Sequence, residues 1–202
     1  MSPEPQIADQ QLPVPILENL LLSPEFISLA TRAQQIEFIK SKFETSSTNI
    51  ILISSLTIGQ RDNPSWHQLI KGRLTASNFG CILNAKRVTP SLLKRLLGDY
   101  DLPRVEAVAW GVTNEAEAIK EFTKQTKLQV VQTGLWLDES GILGASPDGL
   151  VGDCYVLEAK CPYTQRNEGL EVSLKHKDFC LERTDNGITP MPIGIKSKGN
   201  FI

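Results

Sequence analysis

The strongest constraint on this chain is a pair of short segments, residues 142–150 and 154–161, that meet across Gly152-Asp153. Turn residues between two strand-length runs close a β-hairpin. On the second run, a period of two puts Val156, Glu158 and Lys160 on one face and Tyr155, Leu157 and Ala159 on the other. Glu158 and Lys160 therefore point together. Asp148 can sit opposite Glu158 only if paired residue numbers sum to an even value, which a strict two-residue loop cannot give. A three-residue loop or a bulge is required. Pro147 and Gly149, which flank Asp148, are residues that bulges and strand breaks use.

A second carboxylate-bearing element lies upstream. A helix is predicted over 104–124, with Val105, Val108, Val112, Ile119 and Phe122 recurring at helical spacing, and Glu115 falls on that same apolar stripe. Glu106, Glu117 and Glu121 lie off the stripe, as solvated acids do. A carboxylate turned toward a core costs several kcal/mol unless a cation, a hydrogen-bond network or a pKa shift relieves it. A Lys or Arg from a neighbouring helix would serve, and so would a metal ion. Asp148 and Glu158, with a backbone carbonyl that we place at Ala159, form a hard oxygen site suited to Mg²⁺, with Mn²⁺ as a substitute. Lys160 beside it could orient or deprotonate a water and neutralise charge at phosphorus, which is the chemistry of phosphodiester hydrolysis. By themselves an Asp and a Glu-x-Lys at loose spacing are common, and in most chains they form an ordinary surface salt bridge.

The remaining sequence sets the frame. At 202 residues and 41% hydrophobic content, the chain can bury a core. A net charge of −2 supplies no overall attraction to nucleic acid, so any basic surface has to be local. Between Asn63 and Gly98 there is no Asp or Glu, while Lys71, Arg73, Lys86, Arg87, Lys94 and Arg95 are all positive. The four cysteines form no CxxC pair and read as reduced. The first basic residue is Arg32 and no apolar run nears the ~18 residues of a membrane span, so an intracellular, soluble protein away from membranes is expected.

Residues 1–24 read as an extended Pro-rich leader, 25–43 as an amphipathic helix and 50–58 as a strand or buried connector, giving a leader region at 1–60 and a main domain at 61–202. Helices are predicted near 65–71, 75–84, 89–97 and 165–178, strands near 129–137, 142–150 and 154–161, and a loop from there to the end.

Six blocks stand in order: Trp66-His67, Arg73-Leu-Thr-Ala-Ser77, Ala109-Trp-Gly111, Glu115, Ser146-Pro-Asp-Gly-Leu150 and Leu157-Glu-Ala-Lys-Cys-Pro162. In this order the chain resembles the YqaJ-like viral recombinase and lambda-type phage exonuclease family, of the PD-(D/E)XK nuclease superfamily. The resemblance implies an α/β (α+β), restriction-endonuclease-like core, with a mixed central sheet flanked by helices. It also implies Mg²⁺-dependent digestion of duplex DNA from a 5′ end in recombination or repair, with DNA as partner and self-assembly into a homo-oligomer around it. Asp148, Glu158 and Lys160 take the metal and nucleophile roles, assisted by Glu115. Arg73 and Ser77 inherit phosphate contacts, and Trp66, Lys71 and Thr75 join them as DNA-binding candidates. Where relatives carry a further arginine four residues after the tryptophan, this chain has Ile70. Relatives also continue into a strand and a helix with a Tyr and paired Gln, so these elements are expected to be missing. A DNA-binding remnant without cleavage and a non-enzymatic interaction module are the alternative readings.

Overall fold

The structure, a computed structural model, describes residues 12–98, 106–177, 179–185 and 187–190. In chain order the helices are α1 (Leu17–Leu21), α2 (Pro24–Ile27), α3 (Arg32–Phe43), α4 (Ser47–Leu56), α5 (Pro64–Ile70), α6 (Ala76–Leu83), α7 (Pro90–Leu96), α8 (Glu106–Thr126) and α9 (Leu170–Ser173). The strands are β1 (Leu74–Thr75), β2 (Val130–Val131), β3 (Trp136–Leu137), β4 (Leu143–Ala145), β5 (Gly149–Val151), β6 (Tyr155–Leu157), β7 (Leu181–Thr184) and β8 (Gly187–Pro190). The class is α+β, and the described strands form three small sheets ordered β1-β4-β3, β2-β5-β6 and β7-β8. Contacts divide the chain into two units. The first comprises residues up to Leu74 together with Gly134–Ser146, and the second comprises Thr75–Thr133 and the chain from Pro147 on.

In the first unit Val14, Ile53, Leu69, Leu135 and Leu137 form the core, with Leu12, Ile50, Trp66 and Ile70 packed against it. Full burial of a Leu or Ile contributes ~1.5–3 kcal/mol. That gain explains why 50–58 is not a strand. Ser46 caps α4 by accepting from Asn49 N (3.3 Å), and the helix turns Ile53 fully inward. β-branching weakens a helix by only tenths of a kcal/mol per residue, so burial decides the conformation. The hydroxyls of Ser54 and Thr57 donate back to Ile51 O (2.8 Å) and Ile53 O (2.6 Å), which satisfies them inside the unit.

Two other expectations change here. The Pro-rich stretch is not an extended leader throughout, because α1 forms within it and Val14 and Leu20 are buried; residues 1–11 lie outside the described set. The helix expected over 25–43 is two helices. Thr31 and Gln34 form a reciprocal capping box, Gln34 N to Thr31 Oγ1 (3.2 Å) and Thr31 N to Gln34 Oε1 (3.0 Å), which restarts the chain as α3. The strand expected over 129–137 also divides. Gly134 N donates to Ser54 O (2.9 Å) and Leu135 N to Thr57 Oγ1 (2.7 Å), which draws the backbone away from the β2 ladder.

In the second unit β2, β5 and β6 pair antiparallel, with Val130 opposite Val151 and Gly149 opposite Leu157. Gly149 is glycine for a packing reason, since a Cβ there would run into Val130 Cγ1. The helix expected over 104–124 is α8, Glu106–Thr126, and Val105 lies outside the described residues. Two expectations near the C-terminus fail. Among the described residues of the segment 165–178 only Leu170–Ser173 is helical, and Gly169 supplies no side-chain cap. The segment read as loop holds the β7–β8 hairpin, with Leu181 opposite Pro190 and Thr184 opposite Gly187. Among the described residues no helix is long and apolar enough to cross a membrane.

Candidate active site

The hairpin of the second unit carries the candidate acids. Its register pairs Gly149 with Leu157, Leu150 with Val156 and Val151 with Tyr155, so each pair sums to an even number. The connection is Gly152-Asp153-Cys154, a three-residue loop entered through Gly152 at φ 58°. Continuing the same register sets Asp148 across from Glu158. The regular ladder stops there, because Asp148 N donates to Leu157 O (3.0 Å), one residue short of Glu158. The side chain then takes over from the backbone, with Ala159 N donating to Asp148 Oδ2 at 2.5 Å. Asp148 is thus held by two bonds to the opposing strand, one through its main chain and one through its carboxylate.

Glu158 and Lys160 lie on one side of the chain after β6, and their side chains form an ion pair. Both are more than half exposed, so the pair is solvent-screened and weak as a stabilising contact. Glu115, on α8, is half-buried. Its place relative to the hairpin can be read from Cys161. Burial pushes the Cys161 thiol up, and the charges of Glu115 and then Asp148 push it further, while Lys160 opposes them. One sulfur feels both carboxylates.

Asp148, Glu158 and Glu115 offer only carboxylate oxygens, and their chemistry suits a hard divalent cation. Among the described residues no three His, Cys, Asp or Glu side chains are gathered closely enough to enclose a metal ion. An open groove of about 400 Å³ adjoins this region, lined in part by Trp110, Asn114, Cys161, Gln165, Arg166 and Phe179. Tyr163 stands beside it. Its ring meets Trp110 edge-on at 6.3 Å, the Arg166 guanidinium lies 3.9 Å over its face, and its hydroxyl donates to Glu106 Oε2 (2.8 Å). That hydrogen bond raises the Tyr163 pKa. Tyr163 and Arg166 were not singled out from sequence, although the Cys161-Pro162 block leads directly into them.

The DNA-binding candidates divide between the two units. Ser77 is exposed near the start of α6, and Thr75, at the N-cap, takes part in a capping box: its N–H donates to Asn78 Oδ1 (2.9 Å) and its hydroxyl pairs with that of Ser77 (3.0 Å). In the first unit the placements differ from expectation. Arg73 is fully buried (0% exposed), and its guanidinium donates to Gly141 O (2.8 Å), Leu69 O (2.5 Å) and Pro15 O (3.3 Å) while lying 4.3 Å over Phe43. Burial pulls its pKa down to about 10, so it stays charged at neutral pH, but no phosphate can reach it in this arrangement. Lys71 pairs with Glu18 (3.1 Å). Trp66 is packed on the core, and its indole N–H donates to Ser146 Oγ (2.8 Å). Ile70 packs on the same core.

A family model described as the YqaJ-like viral recombinase domain matches residues 65–180. Among solved structures, LHK-Exo in complex with dAMP is 29% identical, covering 48% of this chain and 52% of that one at a TM-score of 0.40. The alkaline exonuclease LHK-Exo from Laribacter hongkongensis is 29% identical, with 49% and 53% coverage and a TM-score of 0.37. The chain therefore spans about half the length of these solved structures. No curated protein matches.

Proposed function

The chain belongs to the YqaJ-like viral recombinase domain family, and from that premise we propose that it is a divalent-metal-dependent DNA exonuclease, with a restriction-endonuclease-like core, acting in recombination or repair. The observation that carries this reading is the hairpin register. Its even-sum pairs run up to Gly149–Leu157, with Asp148 and Glu158 the next residues beyond them and Lys160 two residues on, and the charges of Glu115 and Asp148 both act on the Cys161 thiol.

Asp148, Glu158, the Ala159 carbonyl and Glu115 would hold Mg²⁺, with Mn²⁺ as a substitute. The bound ion would supply Lewis-acid stabilisation of charge at the phosphoryl group. The chain's own groups do the rest. The Ala159 N–H fixes the orientation of the Asp148 carboxylate. Glu158 keeps the Lys160 ammonium at the site, where it orients the attacking water and offsets negative charge as the O3′–P bond breaks. Ser77, exposed near the start of α6, would present its hydroxyl to a phosphate, with the Thr75 hydroxyl paired to it. Self-assembly around the duplex belongs to the same reading.

The test is degradation of linear duplex DNA by the full chain with Mg²⁺, compared with Asp148→Ala and Lys160→Ala. Loss of about 10²-fold or more in each variant is expected, and equal rates in all three proteins would sink the assignment. A second reading, DNA binding without cleavage, is favoured by one observation: Lys160 already engages Glu158, and among the described residues the acids form no closed metal cluster. Salt-sensitive binding with no Mg²⁺-dependent cleavage would decide for it.

A further inference from the structure

The chain leaves β6 through Glu158 and Lys160 and runs on through Cys161 and Pro162 into Tyr163, a residue that the hydrolytic reading does not use. This segment and α8 both belong to the second unit. Tyr163 is held from several sides. Its hydroxyl donates to Glu106 Oε2 (2.8 Å) in the first turn of α8, its ring meets Trp110 edge-on at 6.3 Å, and the Arg166 guanidinium lies 3.9 Å over the ring face. Arg166 also closes back on the main chain, with Nη1 donating to Tyr163 O (2.7 Å). Glu106 and Trp110 are four residues apart and so share one face of α8. Two contacts on one face fix a helix against rotation about its axis and against sliding along it. They thereby fix the direction in which Glu115 leaves α8. At the other end, three residues separate Tyr163 from Lys160, a reach of at most ~10 Å, and Pro162 between them has a fixed φ.

We propose that Tyr163 is a positioning residue of the candidate metal site: bonded to Glu106 and packed on Trp110, it clamps the chain that carries Glu158 and Lys160 onto α8 and so fixes the spacing between those groups and Glu115. That a metal ion occupies the site rests on the nuclease reading above. Beyond its burial, the Cys161 thiol, which lies between Lys160 and Tyr163, feels the charges of Glu115 and Asp148, as a segment bordering both acids would. A solvent-exposed hydrogen bond stabilises a fold only modestly, whereas an error of about 1 Å in the placement of a reacting group costs ~10²-fold. The larger effect of the clamp is therefore on spacing. Tyr163 touches no reacting atom and acts through the groups that it holds.

The experiment is isothermal titration of Mn²⁺ into the full chain, wild type against Tyr163→Phe and Glu106→Ala, each of which removes the same hydrogen bond. Groups that hold metal ligands in place contribute ~10–100-fold to affinity. Each variant should therefore bind Mn²⁺ at least about tenfold more weakly, and the double variant no more weakly than either alone, because the two share one interaction. Glu106→Gln keeps an acceptor oxygen and should stay within about twofold of wild type, which separates the bond from the charge. Thermal melting of each protein verifies folding, and should one single variant not fold, the other decides. Affinity within about twofold of wild type in a folded single variant overturns the clamp, as do losses that multiply in the double variant or a loss in Glu106→Gln equal to that in Glu106→Ala. Wild-type degradation of duplex DNA together with unchanged Mn²⁺ affinity in the variants defeats the clamp alone. A wild type that binds Mn²⁺ and loses affinity in both variants, yet never cleaves DNA, defeats the nuclease reading and leaves the clamp standing. A wild type that binds no Mn²⁺ overturns both.

Discussion

Arg73 is where family resemblance and structure assign opposite roles, so its removal discriminates sharply between them. In the structure Arg73→Ala deletes bonds to Gly141 O, Leu69 O and Pro15 O and the stacking over Phe43. Hydrogen bonds from a charged donor contribute ~1.5–3 kcal/mol each. Counting the longest at the low end, the three together amount to ~4.5–7.5 kcal/mol, with ~1 kcal/mol more from the cation–π contact. Against this stands the desolvation of the guanidinium, visible in a pKa drawn from 12.5 to about 10. At ~1.4 kcal/mol for each tenfold change in proton affinity, that opposes folding by ~3.5 kcal/mol. The net loss is ~2–5 kcal/mol, in line with breaking a buried polar network. For a chain of this size each kcal/mol lowers Tm by ~2–4 °C, so calorimetry should show a fall of about 4–20 °C. DNA affinity, measured well below that Tm, should change less than about twofold. A Tm unchanged to within about 1 °C, combined with a large loss of DNA affinity, would refute the buried placement and restore Arg73 as a phosphate ligand.

The remaining predictions concern the same two units. Gly141 has φ 64°, accepts from Arg73 Nε at its carbonyl oxygen, and would bring a Cβ against Phe43 O; Gly141→Ala should cost more than about 2 kcal/mol by urea titration, and a neutral effect would contradict this packing. Gly149→Val forces β2 away from β5 beside Asp148, so cleavage should fall at least about tenfold even where the melt shows the protein folded, and full activity would count against the hairpin geometry. Burial and then the Glu115 and Asp148 charges raise the Cys161 thiol, so less of it is thiolate at mildly alkaline pH. Iodoacetamide followed by mass spectrometry should modify exposed Cys154 before Cys161, and the reverse order would dispute the shared acidic region.

What could be read from sequence and what could not differ in range along the chain. The parity argument for Asp148 and Glu158 needed only strand alternation and a loop length, both local, and the register with its three-residue loop obeys it. The helix predicted near 65–71 is α5, Pro64–Ile70, and its start is also local, since Asn63 caps it by accepting from Ser65 N and Trp66 N and Pro64 takes its first position. Residues 50–58 were misread because Ile50 to Ile53 satisfy strand and buried-helix patterns equally, and the choice depends on Leu69, Leu135 and Leu137, which are distant in sequence. The break at Gly134 has the same cause, being set by Ser54 O and Thr57 Oγ1 some eighty residues upstream.

Arg73 shows how far a motif's position goes toward giving its role. The resemblance puts the start of a phosphate-facing segment at the Arg73-Leu-Thr-Ala-Ser77 block, but Gly72 turns the chain there at φ 74° and the next residue is buried against Phe43. Burial of an arginine is decided by which carbonyls surround it, and those of Pro15, Leu69 and Gly141 come from three separate parts of the chain. A block that is contiguous in sequence is therefore divided in use, with Arg73 holding the first unit together and Thr75 and Ser77 opening α6 of the second. The other four cations of the acid-free stretch, Lys86, Arg87, Lys94 and Arg95, are exposed on the α6–α7 connection and α7. The charge count alone could not separate the two groups, because it weighs a buried guanidinium and an exposed one equally.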